Sequence, residues 1–323
     1  GALAFMVGVI ILLFSDSLVT INLMVPIMIF GVLGGCVWAF YKIYEQNRRQ
    51  HEALSRFALA NNISYDTNVF PGLAGLMFQE GGDRLIRSRL IIPTDAHPVE
   101  IGNYQYTTGS GKSETTHDLG YMRLKLPRRV PHMVLDAKAN NFMSRFSNLP
   151  AAFDKRQVLE LEGDFNNYFT LYAPEQYERD ALYVFTPDVM QALVDLAGNY
   201  DVELVDDDLF VYSSQPFVLA RPETLQALLT LASRLSPEFT SQTDRYADER
   251  IANFNANIIA EPGRRLKKRF AWVGIAIFVT YLSLSIGKDF APDNLQFALY
   301  SIFGMAIWAF VIWALVRKFR GIR

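Results

Sequence analysis

Two short runs of this chain set acidic and histidine side chains at spacings that could support chemistry. In His132-Met-Val-Leu-Asp136 and in Val158-Leu-Glu-Leu-Glu162, polar and apolar residues alternate, the pattern of a half-buried antiparallel strand. Strand side chains point to opposite faces in turn. His132 therefore shares a face with Asp136, and Glu160 shares one with Glu162, with Asp164 continuing that line if the strand does. Carboxylates at close range supply the oxygens that a hard divalent cation needs, so His132, Asp136, Glu160 and Glu162 are the candidates for a catalytic or metal-sensing site. A solvated strand face produces the same pattern. The triple aspartate at Asp206, Asp207 and Asp208 has the same two readings, a solvated turn or a contact for a cation or partner.

Other chemistries find less support. Thr107-Thr-Gly-Ser-Gly-Lys-Ser113 resembles a nucleotide-binding loop, but the phosphate cradle needs a glycine separated by four residues from Gly-Lys-Ser, and Tyr106 stands there. The cradle also needs a helix after it, and here a strand follows; a glycine-rich hairpin tip is the expectation. The four histidines, His51, His97, His117 and His132, are scattered, and no Gly-x-Ser-x-Gly elbow is present to hold an activated serine. Cys36 is the single cysteine, which excludes disulfides within the chain and multi-cysteine metal sites. No motif implies a cofactor, and an enzyme is the less favoured class.

The elements that would carry these residues follow from segregated composition. Half of the 323 residues are hydrophobic while a fifth are charged. Charges avoid Gly1 to Phe14, Leu23 to Tyr41, Phe270 to Gly287 and Leu295 to Val316. The last three run about 18 to 22 residues, roughly 27 to 33 Å as helix, enough to cross a hydrocarbon core. They are expected to be transmembrane helices, with the shorter first stretch a truncated fourth. None of the three complete spans holds an ionisable side chain, which disfavours a pump or secondary transporter. Gly31, Gly34 and Gly35 suggest close helix packing.

Basic residues flank these stretches at Lys42, Arg48, Arg49 and Arg56, at Arg264, Arg265, Lys267, Lys268 and Arg269, and in the tail. By the positive-inside rule the middle of the chain and its C-terminus are expected in the cytoplasm of a bacterial cell, with the protein multi-pass in the inner membrane. From Phe57 to Pro262 there are about 17 basic and 28 acidic residues, or about −11, leaving about +9 for the rest and the overall −2. An acidic domain between basic collars is poorly suited to phosphate backbones, so nucleic acid is not an expected partner. The collars would rest against the lipid bilayer.

Between the collars the pattern predicts many strands, then a helix, a hairpin and a helix. Strands are expected at Val99 to Tyr106, Tyr121 to Leu126, His132 to Asp136, Val158 to Glu162 and Phe169 to Tyr172, with one more at Leu85 to Ile92. Thr186 caps a helix with Pro187 in its first turn, and Gly198 ends it. Val202 to Val205 and Leu209 to Tyr212 flank the aspartates as a hairpin, and a last helix opens at Pro222. Juxtamembrane helices are expected at 44–62 and at Ser241 to Ala260.

Leu159-Glu-Leu-Glu-Gly-Asp-Phe-Asn-Asn-Tyr-Phe-Thr-Leu-Tyr-Ala-Pro174, then Tyr177-Glu-Arg-Asp-Ala-Leu-Tyr-Val-Phe-Thr-Pro-Asp188 and the Val202 to Tyr212 segment, resemble the bacterial membrane-protein family catalogued as domain of unknown function 3137. The resemblance extends more loosely over Gly102 to Asn148. It implies a membrane-linked α+β module and carries no activity or catalytic residues.

Together these readings describe an α+β cytoplasmic domain, an antiparallel sheet with helices, inserted between two transmembrane helical hairpins with four transmembrane helices in all. Its parts are a hairpin over 1–43, a juxtamembrane helix over 44–62, the domain over 63–238, a return helix over 239–262, and a second hairpin with a basic tail over 263–323. The expected role is protein binding or scaffolding at the membrane, with self-association open. The alternatives are a metal-dependent enzyme or sensor using the sheet carboxylates and a channel or transporter component.

Overall fold

The structure is a computed structural model that describes residues 18–79, 81–94, 97–141, 147–253 and 256–268. These fall almost wholly in the first of two compact units, Gly1–Lys267; the second, Lys268–Arg323, is described only at Lys268.

A 43-residue helix, α1 (Leu18–Ala60), comes first and contains Pro26. Its C-terminal half carries the ladder Glu45, Arg48, Arg49, Glu52 and Arg56, joined by ion pairs at spacings of three and four. Leu54 and Ala58 bury the end of α1 against the domain core.

Four transmembrane helices, and with them the multi-pass inner-membrane placement, are corrected: among the described residues no helix is long and apolar enough to cross a membrane. Three of the four apolar stretches, at 1–14, 270–287 and 295–316, lie outside the described residues. The remaining one belongs to α1. There the helix runs on without a break into the charged residues Lys42 and Glu45. The glycines at 31, 34 and 35 have nothing within 4 Å of where a Cβ would stand, so no close helix packing occurs there among the described residues. Much of the basic collar is engaged within the protein. Arg48, Arg49 and Arg56 pair along α1, Arg265 pairs with Asp206, and Lys267 reaches Glu175.

The domain itself is α+β. Its antiparallel sheet contains β1 (Ser64–Asp66), β2 (Gly82–Ile92), β3 (Val99–Thr108), β4 (Thr115–Ala137), β5 (Val158–Leu159), β6 (Phe169–Tyr172) and β7 (Asp201–Ser213). The spatial order is β1-β2-β3-β4-β6-β5, with β7 also paired to β4. The long strand β4 organises the whole. β7 runs along one edge of it from Gly120 to Leu135, while β3 and β6 share the other edge. Short helices α2 (Phe165–Tyr168) and α3 (Glu178–Val184) lead to α4 (Pro187–Ala197) and α5 (Pro222–Thr243), and a final turn, α6 (Glu261–Arg264), follows. The Thr186 hydroxyl accepts from the Val189 amide and caps α4. Val189, Leu193, Leu228, Leu235 and Phe239 from α4 and α5 pack on one face of the sheet.

Three local expectations change. The runs at 121–126 and 132–136 are one 23-residue strand, and 202–212 is one strand rather than a hairpin. A bulge, not a turn, interrupts both: Lys125 faces Asp208, Val130 faces Asp206, and Asp206 takes φ +55°. Pro127 and Pro131, which cannot donate to a ladder, flank Val130 in this irregular stretch. The described residues of 244–260 form no helix; they are pinned instead by polar contacts to α3 and its approach. Asp248 accepts from the Ala260 amide at 2.8 Å and from the Tyr177 hydroxyl at 2.8 Å, while Arg250 stacks over the Tyr177 ring and pairs with Asp180. Glycines at 109 and 111, both with positive φ, turn the β3–β4 connection, so the Gly-Lys-Ser run is a hairpin tip.

The bulge has a geometric result. On β4, Met122, Leu124 and Leu126 face the helices before it, but Met133, Leu135 and Ala137 do so after it. On β7 the helix-facing residues are Val202 and Leu204, then Leu209 and Val211. Both strands change parity together, so pairing survives.

Candidate functional site

The second face of the sheet is covered by irregular chain rather than by solvent. Segments around Leu73 to Phe78, Leu149 to Phe153 and Leu266 lie over Tyr104, Tyr121, Val134, Phe210 and Tyr212. Gly75 makes this cover possible, because a Cβ there would collide with the Tyr212 hydroxyl and the Phe210 ring. After the bulge, β4 presents His132, Val134 and Asp136 to this covered face, and β7 presents Asp201, Glu203 and Val205. Alternation alone had suggested a wet face for such residues. Burial under loops makes them instead the most polar part of a dry layer.

Glu203 is the hub of the first cluster. It is 1% exposed, and its Oε1 accepts from His132 Nε2 at 2.8 Å. Its Oε2 accepts from the Leu76 amide at 2.7 Å and the Tyr212 hydroxyl at 2.7 Å. The Leu266 amide donates to His132 Nδ1 at 3.0 Å. That bond fixes the tautomer, since Nδ1 must accept and Nε2 must carry the hydrogen that Glu203 receives. One carboxylate thus joins β4 and β7 to two covering segments. Burial, then the neighbouring Glu203 carboxylate, pushes the Tyr212 phenol well above its ordinary value, so it stays a donor.

Asp136 and Asp201 form a second cluster at the end of the same face. Leu135 pairs with Val202, which sets Asp136 opposite Asp201 on adjacent strands. The two are 3% and 1% exposed. Asp201 Oδ1 accepts from the Ala137 amide at 2.9 Å and Oδ2 from Asn148 Nδ2 at 3.0 Å. Asn141 and Ser147 approach Asp136, and Asn140 approaches Asp201. Yet Asp136 Oδ1, Asn148 Oδ1 and both amide atoms of Asn140 are buried with no hydrogen-bond partner. Burial raises both carboxylates above their ordinary range, Asp201 to about 7 with a further push from Asp136.

A third set runs across the sheet as a ladder. Asp66 pairs with Arg89 at 2.7 Å, Arg89 with Glu100 at 3.7 Å, Glu100 with Arg123 at 3.2 Å, and Arg123 with Asp208 at 2.8 Å. Lys125 closes it on Asp207 and Asp208. With Arg265 on Asp206, every member of the triple aspartate holds a cationic partner, so the run is an internal strap rather than an open acidic patch.

Of the four residues singled out by spacing, His132 and Asp136 share a buried face, each beside a β7 carboxylate. Glu160 and Glu162 are exposed and lie past the end of β5, which stops at Leu159, so no strand aligns them. The structure does not bring the two pairs together. Glu203 and Asp201, the partners it does supply, were hidden by the expected hairpin, which would have left them on a solvated strand. Among the described residues, no group of three or more histidine, cysteine, aspartate or glutamate side chains gathers as metal ligands.

No family model matches the chain, and no curated protein does. Among solved structures, the mycobacterial trehalose monomycolate transport factor A is similar at TM-score 0.38 and 12% identity, over 59% of this chain and 92% of that one.

Proposed function

We propose that this chain is a binding and scaffolding protein, in which α1 docks into apolar helices of a partner protein and holds the α+β domain in an assembly. One observation carries this reading. Along α1, Ile29, Phe30, Leu33, Val37, Trp38 and Phe40 are each at least half exposed, around most of the circumference of the helix. A helix apolar on nearly every side is stable only when something covers it, and patches beyond a few hundred Å² mark interaction surfaces. The buried, saturated cluster around Glu203 fits a rigid support.

Cys36, exposed on this helix and the only cysteine, provides the test. A thiol-directed photocrosslinker placed there in producing cells is expected to capture a distinct protein, identified by mass spectrometry. Trp38→Glu is expected to abolish that adduct while leaving thermal unfolding of the domain unchanged. Adducts confined to this chain, or capture indifferent to the substitution, would end the proposal.

A further inference from the structure

We propose that Asp136 and Asp201, with the side-chain oxygens of Asn140 and Asn148, form a binding site for a hard divalent cation of the calcium class. Four observations converge on it. The strand register sets the two carboxylates directly opposite one another, where Cβ atoms lie about 4.5 to 5.5 Å apart. Both are buried, and among the described residues neither forms an ion pair with a lysine, arginine or histidine. Lys138, which follows β4, donates its ammonium to the Asn166 carbonyl and acts on Asp136 through space, without an ion pair. Two facing carboxylates without a cation are a costly arrangement in a dry layer, since like charges directly across a ladder repel and burial removes the screening water.

The second argument is the direction of the unmet need. Asp136 Oδ1, Asn140 Oδ1 and Asn148 Oδ1 are all acceptors, all buried and all without a donor. Asp136 is 97% buried as a residue, and its free oxygen sits at the strand position facing Asp201. Three unmet acceptors against one unmet donor, Asn140 Nδ2, leave the cluster short of positive charge. Asp201 can add to it, because each of its oxygens accepts a single hydrogen bond and keeps a lone pair.

Donor chemistry selects the ion. Two carboxylates balance a double charge, and carboxylate plus amide oxygens are the ligands calcium takes at 2.3 to 2.6 Å in flexible six- to eight-fold geometry. Zinc and copper favour imidazole or thiolate, and the unmet atoms include neither. Magnesium keeps most of its waters and resists an all-protein cage. A cation here would tie the end of β4, the start of β7 and the connection bearing Asn140 and Asn148 into one unit.

The test uses the purified full chain, stripped with chelator and titrated with calcium chloride by calorimetry, with magnesium and potassium chloride as controls. One calcium per chain is expected, with a rise in unfolding temperature that neither control reproduces. Asp136→Asn and Asn140→Ala should each weaken binding by about tenfold or more. Both are mild changes, one isosteric and the other at a partly exposed residue, and their chelated forms serve as the check on folding. The proposal fails if the wild-type chain gives no saturable calcium heat, or if both variants bind as the wild type does. It fails equally if Asp136→Asn raises stability in chelator and calcium adds nothing to the wild type, the behaviour of two acids that merely share a proton.

Discussion

Glu203 and Asp201 are two residues apart on one strand and face the same way, yet their surroundings are opposite. Glu203 receives three hydrogen bonds from a side-chain imidazole, a phenol and an amide. Asp201 faces a second carboxylate across the ladder, beside buried side-chain atoms of Asp136, Asn140 and Asn148 that no partner meets. A buried charge is tolerated where every lone pair is met, and it is a liability or a ligand where it is not. On this sheet face the first end is built for rigidity. The other has capacity left over.

The largest effect should come from the saturated end. Glu203→Ala leaves the Leu76 amide, the Tyr212 hydroxyl and His132 Nε2 unpaired in a dry layer, and should cost about 3 to 5 kcal/mol in urea unfolding. A loss below about 1 kcal/mol would erase the distinction between the two ends. Next, Gly75→Ala forces a methyl into Tyr212 and Phe210 beneath the cover and should cost about 1 to 3 kcal/mol, read from the same transition. At the starved end the sign reverses. In chelator, Asp136→Asn should raise stability by about 1 kcal/mol, because it relieves a facing pair of buried carboxylates.

Acid separates a further region from both. Burial pushes Asp248 up, but hydrogen bonds from the Ala260 and Arg250 amides, the Tyr177 hydroxyl and the Arg250 guanidinium outweigh it and hold the carboxyl below its ordinary range. A depressed carboxylate contributes stability in full above its unfolded pKa, and that contribution disappears as pH falls through the folded value. Asp248→Asn should therefore destabilise the chain near neutrality and flatten its loss of stability below about pH 4, in denaturation midpoints measured across pH. The smallest effect belongs to Glu160→Gln and Glu162→Gln, exposed beyond the end of β5, which should each stay within about 0.5 kcal/mol of the wild type.

Local periodicity made much of the domain legible. Thr186 and Pro187 mark the start of α4, Pro222 the start of α5, and alternation from Val99 marks β3. Each of these signals is written within a few residues. What escaped depended on residues far apart in the chain. Asp206 to Asp208 has turn composition, and only the matching irregularity at Pro127 to Pro131 on the partner strand makes it a bulge. Likewise His132 finds Glu203 from 71 positions away, and the Leu76 and Leu266 amides arrive from opposite ends of the domain. The stretch from Leu23 to Tyr41 has the length and the lack of charge of a membrane span, with basic residues after it. In the structure it is one part of a longer helix that becomes charged from Lys42 onward. Asp136 was visible as a candidate because it lies two strand positions past Val134 and four past His132. Its counterpart Asp201 opens a strand after α4, and nothing in the intervening sequence announces that the two would meet.

The paired bulge acts as a phase shifter. Removing one residue of β4 between Leu126 and Met133 would rotate His132 and Asp136 into the greasy layer beneath the helices and expel Met133 and Leu135 from it. A compensating change in β7 between Leu204 and Leu209 would restore the order. These two distant stretches can therefore change length only in step, and their joint length sets which residues of the sheet meet loops and which meet helices.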